Sequence, residues 1–160
     1  MATEIERKFL VTGNDWKSVS PTYYCQGYLS RDKNRTVRVR IAGESGVLTI
    51  KGLTTGASRA EFEYSIPVSD AKALQQLCDK PLVEKNRRVL DYAGMTWEVD
   101  EFLGENTGLV IAEVELDSED QQIELPPWVG SEVTDDSRYY NSNLSATPFN
   151  LWTDEARRKS

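Results

Sequence analysis

The chain has 160 residues, 39% hydrophobic and 28% charged, which suits one globular domain with a single core and excludes a disordered chain. Its 26 acidic residues outnumber 19 basic ones, and at a net charge of −7 no general attraction to nucleic acid or to an anionic membrane is expected; an anionic substrate requires a local basic site that overcomes the global field. Histidine is absent, which excludes Ser-His-Asp and Cys-His catalysis and the usual zinc centres, and leaves carboxylates to hold any metal, a donor set for hard ions such as Mg²⁺ or Mn²⁺.

In chain order, residues 4–11 alternate and read as a first strand, followed by a short helical turn over 15–19. Residues 36–42 alternate strictly, Gly43-Glu44-Ser45-Gly46 supplies a turn, and 47–51 form the next strand. After a loop over 52–58, residues 59–68 return as a strand. Ser69-Asp70 is expected to cap a helix running to about Asp79, with Ala73, Leu74 and Leu77 on one face and Pro81 beyond its end. Strands over 83–92, 95–102 and 109–116 follow, separated by turns at Ala93-Gly94 and 104–108. Short helices are predicted at 118–122 and from Gly130-Ser131 to Thr134, a longer one over 138–146, and a polar tail over 154–160. The longest apolar runs cannot span a bilayer, and the opening residues carry no apolar signal region, so the expected location is cytoplasmic. Cys25 and Cys78 are far apart and read as reduced, buried small hydrophobes.

No repeat, low-complexity tract or long linker divides the chain, so residues 1–160 form a single domain. Seven or eight hairpin-connected strands and three or four helices predict an α+β, mainly β fold: a closed antiparallel β-barrel with flanking helices.

Residues two apart on a strand share a face. Glu4, Glu6 and Lys8 fall together, as do Arg38 with Arg40, and Thr49 with Lys51. So do Arg59, Glu61 and Glu63; Lys85 and Arg87; Glu98 and Asp100; and Glu113 and Glu115. The plain reading is a sheet with one solvated face. Against it, these faces carry few Thr, Ser, Gln or Asn, and like charges cluster within a strand, where they repel. A barrel interior that holds both signs explains the pattern better. It suits a polyphosphate: arginine and lysine hold phosphate oxygens, arginine bidentately, and paired carboxylates hold Mg²⁺. With two divalent ions the seven cations and eight carboxylates on these faces would leave roughly +3, close to neutralising a triphosphate.

Glu4-Ile5-Glu6-Arg7-Lys8 resembles the ExExK signature of the CYTH superfamily, the triphosphate tunnel metalloenzymes. It is followed in family order by Gln26-Gly27-Tyr28-Leu29, Arg38-Val39-Arg40, Leu48-Thr49-Ile50-Lys51-Gly52 and Glu61-Phe62-Glu63-Tyr64. Then come Glu84-Lys85, Trp97-Glu98-Val99-Asp100 and Ala112-Glu113-Val114-Glu115. The C-terminal Glu132-Val133-Thr134, Arg138-Tyr139-Tyr140-Asn141 and Asn143-Leu144 are similar to the short bacterial members. The chain departs from the common pattern at Asn86-Arg87 and at Ser145-Ala146-Thr147.

The resemblance implies an eight-stranded antiparallel tunnel that acts on triphosphates with two Mg²⁺ or Mn²⁺ ions. Carried over, Glu4, Glu6, Glu113 and Glu115 would be metal ligands, assisted by Asp100. Lys8, Arg38, Arg40, Lys51, Lys85 and Arg87 would bind phosphate, with Arg59 and Arg138 as further contacts. Glu61 and Glu63 would orient basic residues or a second metal. Lys8 can act as general base only if neighbouring cations lower its pKa, and Glu63 is the alternative. Tyr28 is read either against substrate or water, or as a packing residue; the four tryptophans are read as packing. The implied activity is hydrolysis of inorganic triphosphate. Open alternatives are class IV adenylyl cyclase, thiamine triphosphatase, nucleoside triphosphatase and a non-catalytic polyphosphate-binding module; a homodimer is also open. Both carboxylate pairs argue against the module, since pure binding needs mainly the cations.

Overall fold

Strand β1 (Ala2–Val11) is the seam on which the whole molecule closes. The computed structural model describes residues 2–153, so the predicted tail lies outside the described residues. The remaining strands are β2 (Thr22–Ser30), β3 (Arg35–Ala42), β4 (Ser45–Gly52), β5 (Ser58–Ile66), β6 (Val83–Tyr92), β7 (Met95–Phe102), β8 (Val110–Glu115) and β9 (Val129–Glu132). The helices are α1 (Val68–Leu77) and α2 (Asn141–Ala146). The order β5-β4-β3-β2-β6-β7-β8-β1 closes through β1–β5, which makes an eight-stranded antiparallel barrel, with β9 added at β1.

β1 can close the barrel because its edges are shared. Ala2 to Ile5 pair with β5, so Glu4 faces Arg59, while Glu6 to Leu10 pair with β8. Where β5 has left that edge, β9 takes over and pairs at Phe9 and Val11. That edge's free N–H and C=O groups explain why 129–132 is a strand and not the helix predicted there: an unpaired strand edge is costly to leave dry.

The apolar residues lie outside the barrel and the charges inside. Phe9, Trp97, Val99, Ala112 and Val114 form one outer cluster under Trp16 and Trp128. The Phe9–Trp97 and Trp97–Trp128 rings are 5.6 and 5.8 Å apart, tilted or edge-on, as aromatic quadrupoles favour. Val83, Phe102, Leu109 and Ile111 are covered by Val133, Tyr139 and Leu144. Val39 packs against Ala71 and Cys78 of the α1 segment. The expectation that helices cover the barrel therefore holds for α1 and α2, but the first cluster is roofed by two tryptophans outside any α-helix.

Strand β2 was not legible in the sequence. Its inward residues, Tyr24, Gln26 and Tyr28, are not charged, and its outward ones include Cys25 and Gly27, so the apolar–polar contrast is missing. Gly27 is required by close approach: a Cβ there would stand 2.6 Å from Leu82 Cδ2 and 2.8 Å from Cys78 Cβ.

Three helix readings are corrected. α1 begins at Val68 with Pro67 as its N-cap, so Ser69-Asp70 lie inside the first turn. Its buried face is Ala71, Gln75 and the half-buried Leu74, leading to Cys78; Leu77 is 73% exposed and Ala73 is also exposed. Gln75 takes an inward position because Nε2 donates to the Cys25 carbonyl at 2.9 Å. Residues 118–122 form a turn, in which Gln121 N donates to the Ser118 carbonyl at 3.2 Å. Residues 138–146 are not one helix: a 3₁₀ turn, Ser137–Tyr139, is separated from α2 by Tyr140 in extended geometry (ψ 137°).

Candidate functional site

The barrel encloses a cavity of about 560 Å³ lined by six cations and eight carboxylates. It opens beside the β6–β7 turn, at Gly94, Met95 and Thr96, and narrows at the far end against Tyr140, Asn141 and Ser142 at the start of α2. Strand register sets the depth of each group. Glu6 lies opposite Glu115 and Lys8 opposite Glu113, so β1 and β8 present two carboxylates nearer the mouth and a lysine–glutamate pair deeper in.

The cations are held in ion pairs. Lys51 Nζ donates to Glu4 at 2.9 and 3.0 Å and lies 3.3 Å from Glu61. Lys8 Nζ donates to Glu113 at 3.0 Å and lies 3.5 Å from Glu6. Arg87 grips Asp100 with Nε and Nη2, at 2.7 and 2.9 Å, and reaches Glu98 at 3.1 Å. Lys85, with a side chain 1% exposed, lies 2.8 Å from Asp100 and donates to Asn141 Oδ1 at 3.2 Å. Arg38 donates to Thr49 Oγ1 at 3.3 Å, and Arg38 and Arg40 each stand 4.0 Å from Glu63.

Burial and crowding move the protonation equilibria. Burial, reinforced by Glu113, pushes Glu6 up to about 7 against the pull of Lys8. Burial also raises Glu4 and Glu115; Lys51 opposes it at Glu4, and Glu4 and Glu6 reinforce it at Glu115. Burial would raise Glu113 too, but Lys8, Arg87 and Lys85 hold it well below the usual range. Asp100 is lowered likewise, since Lys85 and Arg87 outweigh its burial. Burial would lower Lys8, yet Glu113 and Glu6 raise it. Lys85 moves the other way: burial, aided by Arg87, outweighs Asp100 and brings it to about 8.

The CYTH domain model matches residues 2–148, nearly the whole chain. The chain belongs to the CYTH family. It is 52% identical over 151 residues to an inorganic triphosphatase of Acetivibrio thermocellus, covering 93% of this chain and 97% of that one. An inorganic triphosphatase of Nitrosomonas europaea is 38% identical over 149 residues, covering 89% and 97%. A solved inorganic triphosphatase structure superposes with a TM-score of 0.66 at 34% identity, covering 96% and 97%. A putative adenylate cyclase from Bacillus halodurans shares the fold, with a TM-score of 0.58 at 17% identity, covering 75% and 84%.

Within this CYTH tunnel, Glu4, Glu6, Lys8, Arg38, Arg40, Lys51, Glu63, Lys85, Arg87, Glu113 and Glu115 all line the main cavity. Arg59 and Tyr28 line its narrow inner continuation, where Arg59 donates to Thr36 Oγ1 at 3.2 Å. Arg138 lies elsewhere. Its guanidinium pairs with Asp136, within the turn that carries both residues, and stacks on Tyr139 and Trp152 outside the barrel. The condition set for Lys8 as a base is not met, because its neighbours are carboxylates that keep it cationic. Both Asp100 oxygens are engaged by Arg87 and Lys85, so Asp100 orients cations in this arrangement.

The sequence reading missed Tyr24, Gln26 and Asn141. Tyr24 lies against Arg40 and Arg87, while Gln26 Nε2 donates to Asn141 Oδ1 at 3.0 Å. For Tyr24 and Gln26 the signal was their spacing of two with Tyr28, visible once 22–30 is taken as a strand; Asn141, at the start of α2, carried no such pattern.

The donor chemistry of the mouth suits a hard divalent ion. Glu4, Glu6 and Glu115 carry raised pKa values because they are buried near one another, and a cation would relieve that repulsion. Among the described residues, no group of three or more carboxylates is gathered to hold an ion as it stands. Lys51 and Lys8 occupy that role, bridging Glu4 to Glu61 and Glu6 to Glu113.

Proposed function

We propose that this CYTH chain hydrolyses inorganic triphosphate to pyrophosphate and orthophosphate, using Mg²⁺ or Mn²⁺. The observation that carries this reading is the cavity lining. Six cations face one enclosed space, and Tyr24, the one aromatic side chain lining the main cavity among the described residues, is already stacked by two arginines. Phosphate oxygens are provided for, and among the described residues no free ring is left in the main cavity to receive a nucleobase or a thiazole. This favours inorganic triphosphate over the nucleotide and thiamine substrates and over cyclisation of ATP. The two relatives at 52% and 38% identity, both inorganic triphosphatases, agree with it.

CYTH triphosphatases depend on a metal, and here Glu4, Glu6, Glu113 and Glu115 would hold it, with room in the donor set for two ions. Bound there, a divalent ion would supply positive charge to the phosphates and make a water more acidic for attack. The chain's own residues do the rest. Arg87 and Lys85, fixed by Asp100, form a rigid cationic wall. Lys8, Lys51, Arg38 and Arg40 exchange carboxylate or hydroxyl partners for phosphate oxygens and spread the charge that develops on the leaving pyrophosphate. Glu63, held among the described residues by Thr49 Oγ1 at 3.3 Å and by two arginines at 4.0 Å, is the group we assign to accept the proton from water.

Incubation with Mg²⁺ and, separately, tripolyphosphate, ATP or thiamine triphosphate tests the reading. Orthophosphate released fastest from tripolyphosphate supports it. Cyclic AMP with pyrophosphate from ATP would replace it with the cyclase, and tight binding of tripolyphosphate without turnover would replace it with a binding module.

A further inference from the structure

Tyr24 stands between two guanidiniums. Cζ of Arg40 lies 5.0 Å from its ring centroid and Cζ of Arg87 4.8 Å. Register explains the arrangement. Tyr24 pairs with Ala42 of β3 on one side and with Lys85 of β6 on the other, so Arg40 and Arg87 are its diagonal neighbours from the two flanking strands. That diagonal is within reach of an aromatic ring and a long side chain.

The two arginines are anchored very differently. Arg87 is locked by two hydrogen bonds to Asp100 and a third to Glu98. Arg40 has no comparable anchor: its one carboxylate partner among the described residues, Glu63, is 4.0 Å away, too far for a hydrogen bond. Arg40 is also crowded, since burial and the charges of Arg38 and Arg87 all disfavour its cationic form. An aromatic face is the one neighbour that attracts a guanidinium while leaving its N–H groups free.

We propose that Tyr24 is a positioning residue for the substrate: its ring fixes the plane of Arg40 beside the rigid Arg87, so that both forks meet phosphoryl oxygens of the bound triphosphate. The proposal rests on the tripolyphosphatase reading. The phenol oxygen has no part in it, so phenylalanine should serve as well as tyrosine, whereas leucine fills the space without a π face.

Steady-state hydrolysis of tripolyphosphate by wild type, Tyr24→Phe, Tyr24→Leu, Arg40→Met and the Tyr24→Leu/Arg40→Met pair tests it, with thermal melts as a folding control. Tyr24→Leu should raise KM about tenfold, the scale of a desolvated cation–π contact, with kcat within about twofold. Tyr24→Phe should match wild type, and Tyr24→Leu should add little to KM once Arg40→Met is present. An unchanged KM in a folded Tyr24→Leu overturns the proposal, as does a Phe variant as impaired as the Leu variant, or full additivity with Arg40→Met. Should Tyr24→Leu fail to fold, the Tyr24→Phe/Arg40→Lys pair decides: Lys keeps the charge but not the planar stack, so an unaltered KM there overturns the proposal. If wild type neither binds nor hydrolyses tripolyphosphate, the functional reading fails and this proposal with it.

Discussion

Lys51 Nζ bonds both carboxylate oxygens of Glu4, at 2.9 and 3.0 Å, at the level of the tunnel where the N-terminal carboxylates meet. The lysine thus neutralises a residue proposed to hold a metal ion. Lys8 does the same for Glu113. The cations that phosphate would need and the carboxylates that a metal would need satisfy one another here, so a bound triphosphate is expected to draw the lysines away.

This predicts that metal and triphosphate favour each other's binding. Lys51→Met should strengthen Mn²⁺ binding to the substrate-free protein by about tenfold, since Glu4 loses its competitor, while weakening tripolyphosphate binding. Titration calorimetry with each ligand alone checks both signs; equal or weaker Mn²⁺ binding in the variant refutes the exchange.

Glu4→Gln should abolish hydrolysis, by about a hundredfold or more, while leaving the fold intact. Orthophosphate release and a thermal melt on the same sample separate the two effects. Retained turnover would remove Glu4 from the metal site.

The metal-free protein should lose stability as pH rises from about 4.5 through about 7, because across that window folded Glu6 keeps a proton that the unfolded chain releases. Glu4 and Glu115, also raised, add to the same slope. Glu113 and Asp100 act oppositely: their lowered values stabilise the fold above the ordinary carboxylate range, a contribution lost as pH falls toward those lowered values. Urea unfolding in the presence of a chelator, from pH 5 to 8, should therefore show a declining midpoint, and Glu6→Gln should flatten the decline.

Asp100→Asn should be far more damaging to stability than Glu4→Gln. It leaves Lys85 and Arg87 buried without their shared carboxylate, at a cost of about 3–5 kcal/mol. Denaturant unfolding measures this directly, and a loss below about 1 kcal/mol would mean that water or Glu98 takes over the pairing.

Gly27→Ala should lower the melting temperature by pushing against the segment that follows α1. The new Cβ meets Leu82 Cδ2 and Cys78 Cβ at 2.6 and 2.8 Å, an overpacking cost of about 1–3 kcal/mol. KM for tripolyphosphate should stay within about twofold, because Gly27 points away from the tunnel.

Much of the site was legible along the chain. Alternation with period two put Glu4, Glu6 and Lys8 on one face, and like charges adjacent within a strand marked that face as something other than a solvated surface. What failed to read was β2, where Tyr24 and Gln26 carry no charge contrast, and the region from Gly130 to Ala146, where neighbouring segments override local preference. Arg138 shows the limit clearly: it opens the family-like stretch Arg138-Tyr139-Tyr140-Asn141, but its guanidinium turns to Asp136 and two rings outside the barrel.

The sequence by itself determined which side chains share a face and what chemistry they can do, because strand geometry fixes direction from residue to residue. Only the tertiary structure decided which strands meet. Register across separate strands, Glu6 against Glu115 and Lys8 against Glu113, sets which charge partners which. That pairing, with the burial the closed barrel imposes, keeps Lys8 cationic and makes Asp100 an anchor and Tyr24 a contact of two arginines. No local pattern encodes it, since each pair joins residues on different strands, 13 positions apart for Arg87 and Asp100 and 105 for Lys8 and Glu113.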